Sequence, residues 1–151
     1  MSSDDQPGPE LALSLGYLLK HAHLELLEQA NKALAPLGID GKELGVLVVI
    51  AGREPLSQQQ VAQRLGVDRT TMVAMLDTLE GKGIVSRHPH AGDRRRNVVE
   101  LTEAGRGTFT EALTVRDAAE RAYLAPLSGP DARQLRNSLR TIVTGPGGSS
   151  R

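Results

Sequence analysis

The stretch SQQQVAQRLGVDRTTMVAMLDTLEGKGIVSRHPHAGDRRRNVVEL, residues 57–101, decides the fold. Ser57 with Gln60 three positions on is the pattern of a helix N-cap, and Val61, Ala62 and Leu65 give that helix an apolar side before Gly66 ends it. Asp68 caps the next segment, where Met72, Met75, Leu76 and Leu79 fall on one face until Gly81 and Gly83 close it. Two short helices separated by Leu65-Gly66-Val67, with a glycine in the turn, have the spacing of a helix-turn-helix. The strand-like runs 84–88 and 96–101 flank Pro89-His90-Ala91-Gly92-Asp93, a loop of turn formers, and predict a β-hairpin directly after the second helix: a wing.

Outward from this centre the pattern is helical. Upstream, apolar residues at 11, 15, 18, 22 and 26, extended by Leu19, Leu27, Ala30 and Leu34, predict one long helix from about Glu10 to Leu34, stopped by Pro36-Leu37-Gly38. Asp40 with Glu43 caps a second helix through residues 46–50, ending before Pro55. Downstream, Thr102 caps a long helix to about Ala125, and Ser128 with Asp131 opens a last one carrying Leu135, Leu139, Ile142 and Val143. The expected fold is therefore mainly α with a small β-hairpin wing. A winged helix-turn-helix lobe at about 40–102 is flanked by helical segments at about 10–36 and 103–143, within one domain spanning 10–143. Residues 1–9 and 144–151 read as tails.

A length of 151 residues suits one compact domain with extra helices. Three aromatic residues, Tyr17, Phe109 and Tyr123, against many Leu, Ala and Val favour aliphatic helix packing over a β-sandwich. The absence of cysteine removes disulfides, thiolate metal sites and cysteine nucleophiles together. The acidic start MSSDDQPGPE has neither a basic nor an apolar signal segment, and no apolar run is long enough for a membrane span, so the expectation is a cytoplasmic protein with no membrane contact. The zero net charge argues against binding nucleic acid by bulk basicity. Its distribution says something different. Residues 1–50 carry three lysines against seven acids, a balance of minus four, whereas residues 64–97 carry seven basic groups against four acids, a balance of plus three.

With the Met72, Met75, Leu76 and Leu79 face turned inward, Thr70, Val73, Ala74 and Asp77 point outward, with Arg69 and Thr71 on the flanks. Hydroxyls can bond base edges or phosphates, and small apolar side chains can lie against thymine methyls. Three consecutive arginines at a hairpin tip repel one another, but the negative potential of a narrow minor groove suits them. Ser57, Arg69, Thr70, Thr71, Val73, Ala74, Arg87, Arg94, Arg95 and Arg96 are accordingly the candidate contacts to duplex DNA. In an extended loop Arg94 and Arg96 face one way and Arg95 the other. Arg95 is expected to enter the groove, while Arg94 or Arg96 pairs with Asp93 or Asp77 and holds the wing in position.

These residues resemble the MarR family of bacterial transcription regulators. The resemblance rests on Leu56-Ser57, Val61-Ala62 and Leu65-Gly66-Val67; on Leu76-Asp77, Leu79-Glu80 and Lys82-Gly83-Ile84-Val85 with Arg87; and on Asp93, Arg95, Val99, Leu101-Thr102 and Gly105. It covers about residues 10–143, and its most specific part runs from the second helix into the wing. It implies a triangular homodimer whose first and last helices interlock, a palindromic operator and a small-molecule effector. It also implies that the residues matching Asp77 and Arg95 tie the wing and reach the minor groove. Peroxide sensing through cysteine, found in one branch of that family, is excluded here.

The terminal helices carry more apolar surface than one small domain hides, so burial against a second copy is expected, with the two reading helices roughly 34 Å apart on an inverted repeat. Tyr17 and His21, four apart on the first helix, are candidate polar handles for a small aromatic or amphipathic effector. His21 with His23 and His88 with His90 lack metal-site spacing, so neither metal nor cofactor is expected. No nucleophile–base arrangement or phosphate loop nominates a reaction. The competing reading is a winged-helix protein-interaction module without specific DNA binding.

Overall fold

Local capping chemistry sets where the helices of this protein begin. The computed structural model describes residues 8–52 and 54–145, with the side chains of 93–96 outside that description. The elements run α1 (Pro9–Ala12), α2 (Leu15–Leu34), a 3-10 turn (Ala35–Leu37), α3 (Gly41–Ile50), β1 (Leu56–Ser57), α4 (Gln58–Leu65), α5 (Arg69–Gly81), β2 (Val85–His90), β3 (Asp93–Leu101), α6 (Glu103–Tyr123) and α7 (Gly129–Thr144). Asp40, Ser57, Asp68, Thr102 and Ser128 each accept a hydrogen bond at the N-terminus of the helix that follows. At Asp40 and Ser57 the bond is returned by Glu43 and Gln60, so both are complete capping boxes. Gly66 takes φ +65° and lets the chain leave α4 for α5, a conformation that would strain any residue with a Cβ.

Three departures from the sequence reading are informative. The first helix is not continuous: α1 ends at Ala12, Ser14 is extended with φ −64° and ψ 129°, and α2 starts at Leu15. Ser14 and Gly16 are weak helix formers that flank the break, and the apolar periodicity runs straight through it. The wing is also longer than its turn formers suggested. β2 reaches His90 and β3 begins at Asp93, so Ala91-Gly92 alone makes the turn, where His90 Nδ1 accepts from Gly92 N at 2.9 Å. Pro89 is tolerated because β2 is an edge strand and the ladder shifts register between Pro89 and His90. Finally, the sheet has three strands in the order β1-β3-β2, all antiparallel, with Leu56 opposite Val99. α6 ends at Tyr123, close to the expected end near Ala125.

The core forms where α3, α4 and α5 close over the inner face of this sheet. Leu34, Leu47, Met72, Leu76, Leu79 and Val99 are among its fully buried side chains, joined by Ala112 from α6. The apolar run at 46–50 thus belongs to a helix, as the Asp40 cap indicated, and not to a strand. α6 lies along α2, linked by the Tyr123 hydroxyl donating to Glu25 Oε2 at 2.9 Å. α7 has no buried residue. Leu11, Leu13, Leu15, Leu18, Leu19 and Leu24 near the N-terminus are exposed, and so are Leu135, Leu139, Ile142 and Val143 on α7.

The junction between α2 and the sheet-bearing half is pinned at Asp40. Its Oδ1 accepts from Glu43 N at 2.8 Å. Glu43 in turn receives Lys82 Nζ, which also donates to the Gly38 carbonyl at 2.7 Å. Asp40→Ala should lower stability by about 1 kcal/mol, the usual worth of an N-cap, and the midpoint of thermal unfolding by roughly 2–4 °C. Asp40→Ser should retain most of it. Circular dichroism melts of the two variants provide the check, and equal losses would mean that the cap is not what Asp40 contributes.

Candidate nucleic-acid interface

α5 projects from the core with a buried side and an open side. Met72, Leu76 and Leu79 are buried, Val73 is half-buried, and Thr70, Thr71, Ala74 and Asp77 are exposed. The 3.6-residue repeat thus divides the helix much as the sequence predicted, except that Met75, expected inside, and Val73, expected outside, are both half-buried at the boundary. Asp68 begins it, accepting from Thr71 N at 3.2 Å, and hydrogen bonding by Thr71 holds the Asp68 carboxyl below its ordinary pKa. Ser57, expected at the DNA, has its hydroxyl oxygen engaged as the α4 cap, accepting from Gln60 N at 3.2 Å.

Between α4, α5 and β3 lies a cleft of about 460 Å³ whose lining includes Gln58, Gln59, Gln63, Arg69, Val73 and Asn97. The sequence reading found Arg69 and Val73 but not the amides. The signal was available: Gln59 and Gln63 stand one helical turn apart, and exposed amides beside a reading helix can bond phosphates as arginine does.

The wing is fastened to α5 by Arg87 on β2. Its Nε donates to Glu80 Oε2 at 3.2 Å, its Nη2 bonds Asp77, and its Nη1 donates to Gln58 Oε1 at 3.2 Å. One guanidinium therefore joins strand, recognition helix and α4. The sequence reading placed Arg87 at the DNA and sought a partner for Asp77 in Arg94 or Arg96. The structure gives Asp77 to Arg87, while the side chains of Asp93, Arg94, Arg95 and Arg96 lie outside the described residues. Arg87 stands opposite Val99 in the ladder, and its side chain is 16% exposed against 60% for Asp77. The Arg87 hydrogen bond holds the Glu80 carboxyl below its usual pKa, and Glu80 in return keeps Arg87 protonated beyond its usual range. A depressed carboxylate pKa gives a contribution that is complete above the group's unfolded value and lost as pH falls through the folded one. The Glu80 arm of the clamp is therefore at full strength at neutral pH and weakens in acid.

On the other half of the molecule, Tyr17 and His21 share a face of α2 as their spacing predicts, with ring centroids 4.0 Å apart and planes tilted by 31°. They do not line the apolar cleft of about 300 Å³ between α2, α6 and α7, whose polar members are His23, Tyr123 and the Glu120–Arg136 pair. Among the described residues no group of three His, Asp or Glu side chains is placed to hold a metal, and no helix is long and apolar enough to cross a membrane.

A helix-turn-helix whose second helix turns one side into the core and leaves the other open, beside a fastened hairpin, is a winged helix, an architecture built for binding duplex DNA. Residues 37–96 match the model of the MarR family. The chain is 30% identical over 140 residues to the HTH-type transcriptional repressor Rv2887 of Mycobacterium tuberculosis, covering 93% of this chain and 96% of that protein. The transcriptional repressor CouR bound to a 23-mer DNA duplex superposes with a TM-score of 0.83 at 31% identity, covering 93% of this chain and 99% of that one. CouR from Rhodococcus jostii RHA1 bound to p-coumaroyl-CoA gives 0.75 at 32% identity, covering 87% and 93%. The chain belongs to the MarR family of transcriptional regulators.

Proposed function

We propose that the protein is a cytoplasmic homodimeric repressor that occupies an inverted-repeat operator and is released by a small effector. The observation that carries this reading is the open side of α5, held by the Arg87 clamp at a fixed angle to the wing. In each protomer Thr70, Thr71, Val73 and Ala74 enter the major groove. Arg69 and Ser57 meet the flanking backbone, and Arg95 enters the minor groove with Arg94 and Arg96 on the adjacent phosphates. Residues 40–102 form the DNA-reading lobe, and 10–36 with 103–143 form the dimerising part. The exposed leucines of the N-terminal helices and the unburied α7 support the pairing, since one chain alone leaves that apolar surface in water. The complexes of CouR with DNA and with p-coumaroyl-CoA support an operator and an aromatic or amphipathic effector for this chain too. The adjacent Tyr17 and His21 rings offer a flat ligand a partner on α2.

Retardation of the promoter fragment beside its own coding region, with a scrambled duplex as competitor, tests the reading. The genuine fragment should be retarded selectively, and a protein-interaction module would not distinguish the two. Arg95→Ala should weaken operator binding about tenfold or more and flatten its dependence on salt by about one counterion per half-site. An unchanged affinity and salt slope would remove Arg95 from the interface.

A further inference from the structure

The open side of α5 is unusual in what it lacks. Thr70, Val73, Ala74 and Asp77 span about 10.5 Å along the helix axis, the length of about three base pairs. The strong, selective contacts in the major groove are arginine or lysine to guanine, a carboxylate to cytosine, and asparagine or glutamine to adenine, whereas a threonine hydroxyl bonds base edges without selecting among them. Thymine presents a methyl group to an apolar side chain. From 70 to 81 the helix contains no cation and no amide. The next cation, Lys82, is bound to Glu43 at 2.9 Å and to the Gly38 carbonyl at 2.7 Å. Both carboxylates of the helix, Asp77 and Glu80, are bound to Arg87. Thr78 Oγ1 donates back to the Ala74 carbonyl at 3.1 Å. Arg69 stands at the first position, in the cleft with Gln59 and Gln63 of α4. The first helix of a helix-turn-helix crosses the DNA backbone, so this places Arg69 with the phosphates.

What remains to meet base edges is the Val73 methyls, the Ala74 methyl and the side chains of Thr70 and Thr71, each with a methyl as well as a hydroxyl. We infer that α5 reads its operator through thymine C5-methyl groups, so that the part of each half-site under this helix is built of A·T pairs and the contacts there are apolar. The inference rests on the reading of α5 as a major-groove helix. It adds the chemistry of the bases that this helix selects. Specificity then depends on shape and methyl burial along α5, while hydrogen bonds and charge hold the flanks.

The test starts from duplexes enriched by the full-length protein from a random pool. In the enriched operator each thymine is replaced in turn by uracil, which removes the methyl and leaves the pairing intact. Each guanine is replaced in turn by 7-deazaguanine, which removes the N7 acceptor. Uracil should weaken binding about threefold to fivefold at each thymine under α5, the worth of one buried methyl, and roughly tenfold when both half-sites carry it. Val73→Ala or Ala74→Gly should shrink the penalty at one of these positions towards onefold and leave the others. Tolerance of uracil throughout, or penalties that neither variant alters, would overturn the inference. So would guanines under α5 whose 7-deaza replacement abolishes binding, although the protein would remain a sequence-specific regulator. A pool in which no sequence is enriched would overturn that broader reading as well.

Discussion

Replacing Gly105 by alanine should cost this protein about 3 kcal/mol or more, near the upper end for overpacking, and lower its unfolding midpoint by roughly 10 °C. Gly105 sits in the first turn of α6, where a Cβ would overlap the Ile84 carbonyl oxygen and lie 2.9 Å from its carbon. The obstacle is backbone, so no side-chain rotation relieves it. The helix cannot easily step back either. Thr102 anchors it, donating from N to the Ile84 carbonyl at 3.0 Å and from Oγ1 to the Gly83 carbonyl at 2.6 Å, while Oγ1 accepts from Gly105 N at 2.9 Å. An alanine would pry α6 from the start of β2 and disturb Ile84 and Ala112 in the core. Gly107, two residues on, has open space around it, and Gly107→Ala should be neutral or stabilise by up to ~1 kcal/mol through helix propensity. Chemical unfolding of the two variants side by side checks the prediction, and similar midpoints would show that the close approach costs nothing.

Removing Arg87 should reduce operator affinity by one to two orders of magnitude while costing far less in stability. The guanidinium neutralises two carboxylates on the exposed side of α5, the side proposed to meet DNA. Arg87→Ala leaves Asp77 and Glu80 as free negative charges facing phosphates, and releases β2 from α5 and α4 together. Each factor of ten corresponds to about 1.4 kcal/mol, a plausible sum for restored charge repulsion and a wing without a fixed angle. Both carboxylates are exposed although Arg87 itself is not, so solvent screens the pairs and the loss of stability should be small. Arg87→Lys should recover part of the affinity, since an ammonium supplies charge but cannot reach three acceptors with a planar fork. Adding Asp77→Asn and Glu80→Gln to Arg87→Ala separates the two causes: recovery identifies repulsion, and its absence identifies the lost tether. Fluorescence anisotropy at fixed salt measures all four proteins. Wild-type affinity in Arg87→Ala would contradict the clamp altogether.

Features encoded within a few residues of one another were legible in the sequence. The caps at Asp40, Ser57, Asp68, Thr102 and Ser128 depend on a side chain and an amide three positions away, and each opens a helix where its spacing indicated. Gly66 likewise shows in the chain as a turn residue. What was not legible depends on partners far apart in sequence. β1 is two residues long and exists because Leu56 finds Val99. The break at Ser14 is invisible to an apolar pattern that continues on both sides of it. The partner of Asp77 was sought in Arg94 or Arg96, and strand register, which no local pattern fixes, puts Arg87 within its reach instead. The Gln59 and Gln63 side of the cleft escaped notice because glutamines look like ordinary solvated helix surface until a neighbouring strand turns that surface into a wall.

The two residues of β1 have a consequence for how the protein can respond. Leu56 and Ser57 pair with the inner wing strand, and Ser57 is at once the residue that starts α4. The joint is too short to bend within itself and belongs to both parts, so it works like a spot weld between the hairpin and the helix pair. Joined in this way at β3 and clamped by Arg87 at β2, the wing moves with the helix pair for as long as both links hold. A signal received between α2, α6 and α7 would then act on DNA binding by moving the hairpin and helix pair together, through where they are placed and not through their shape.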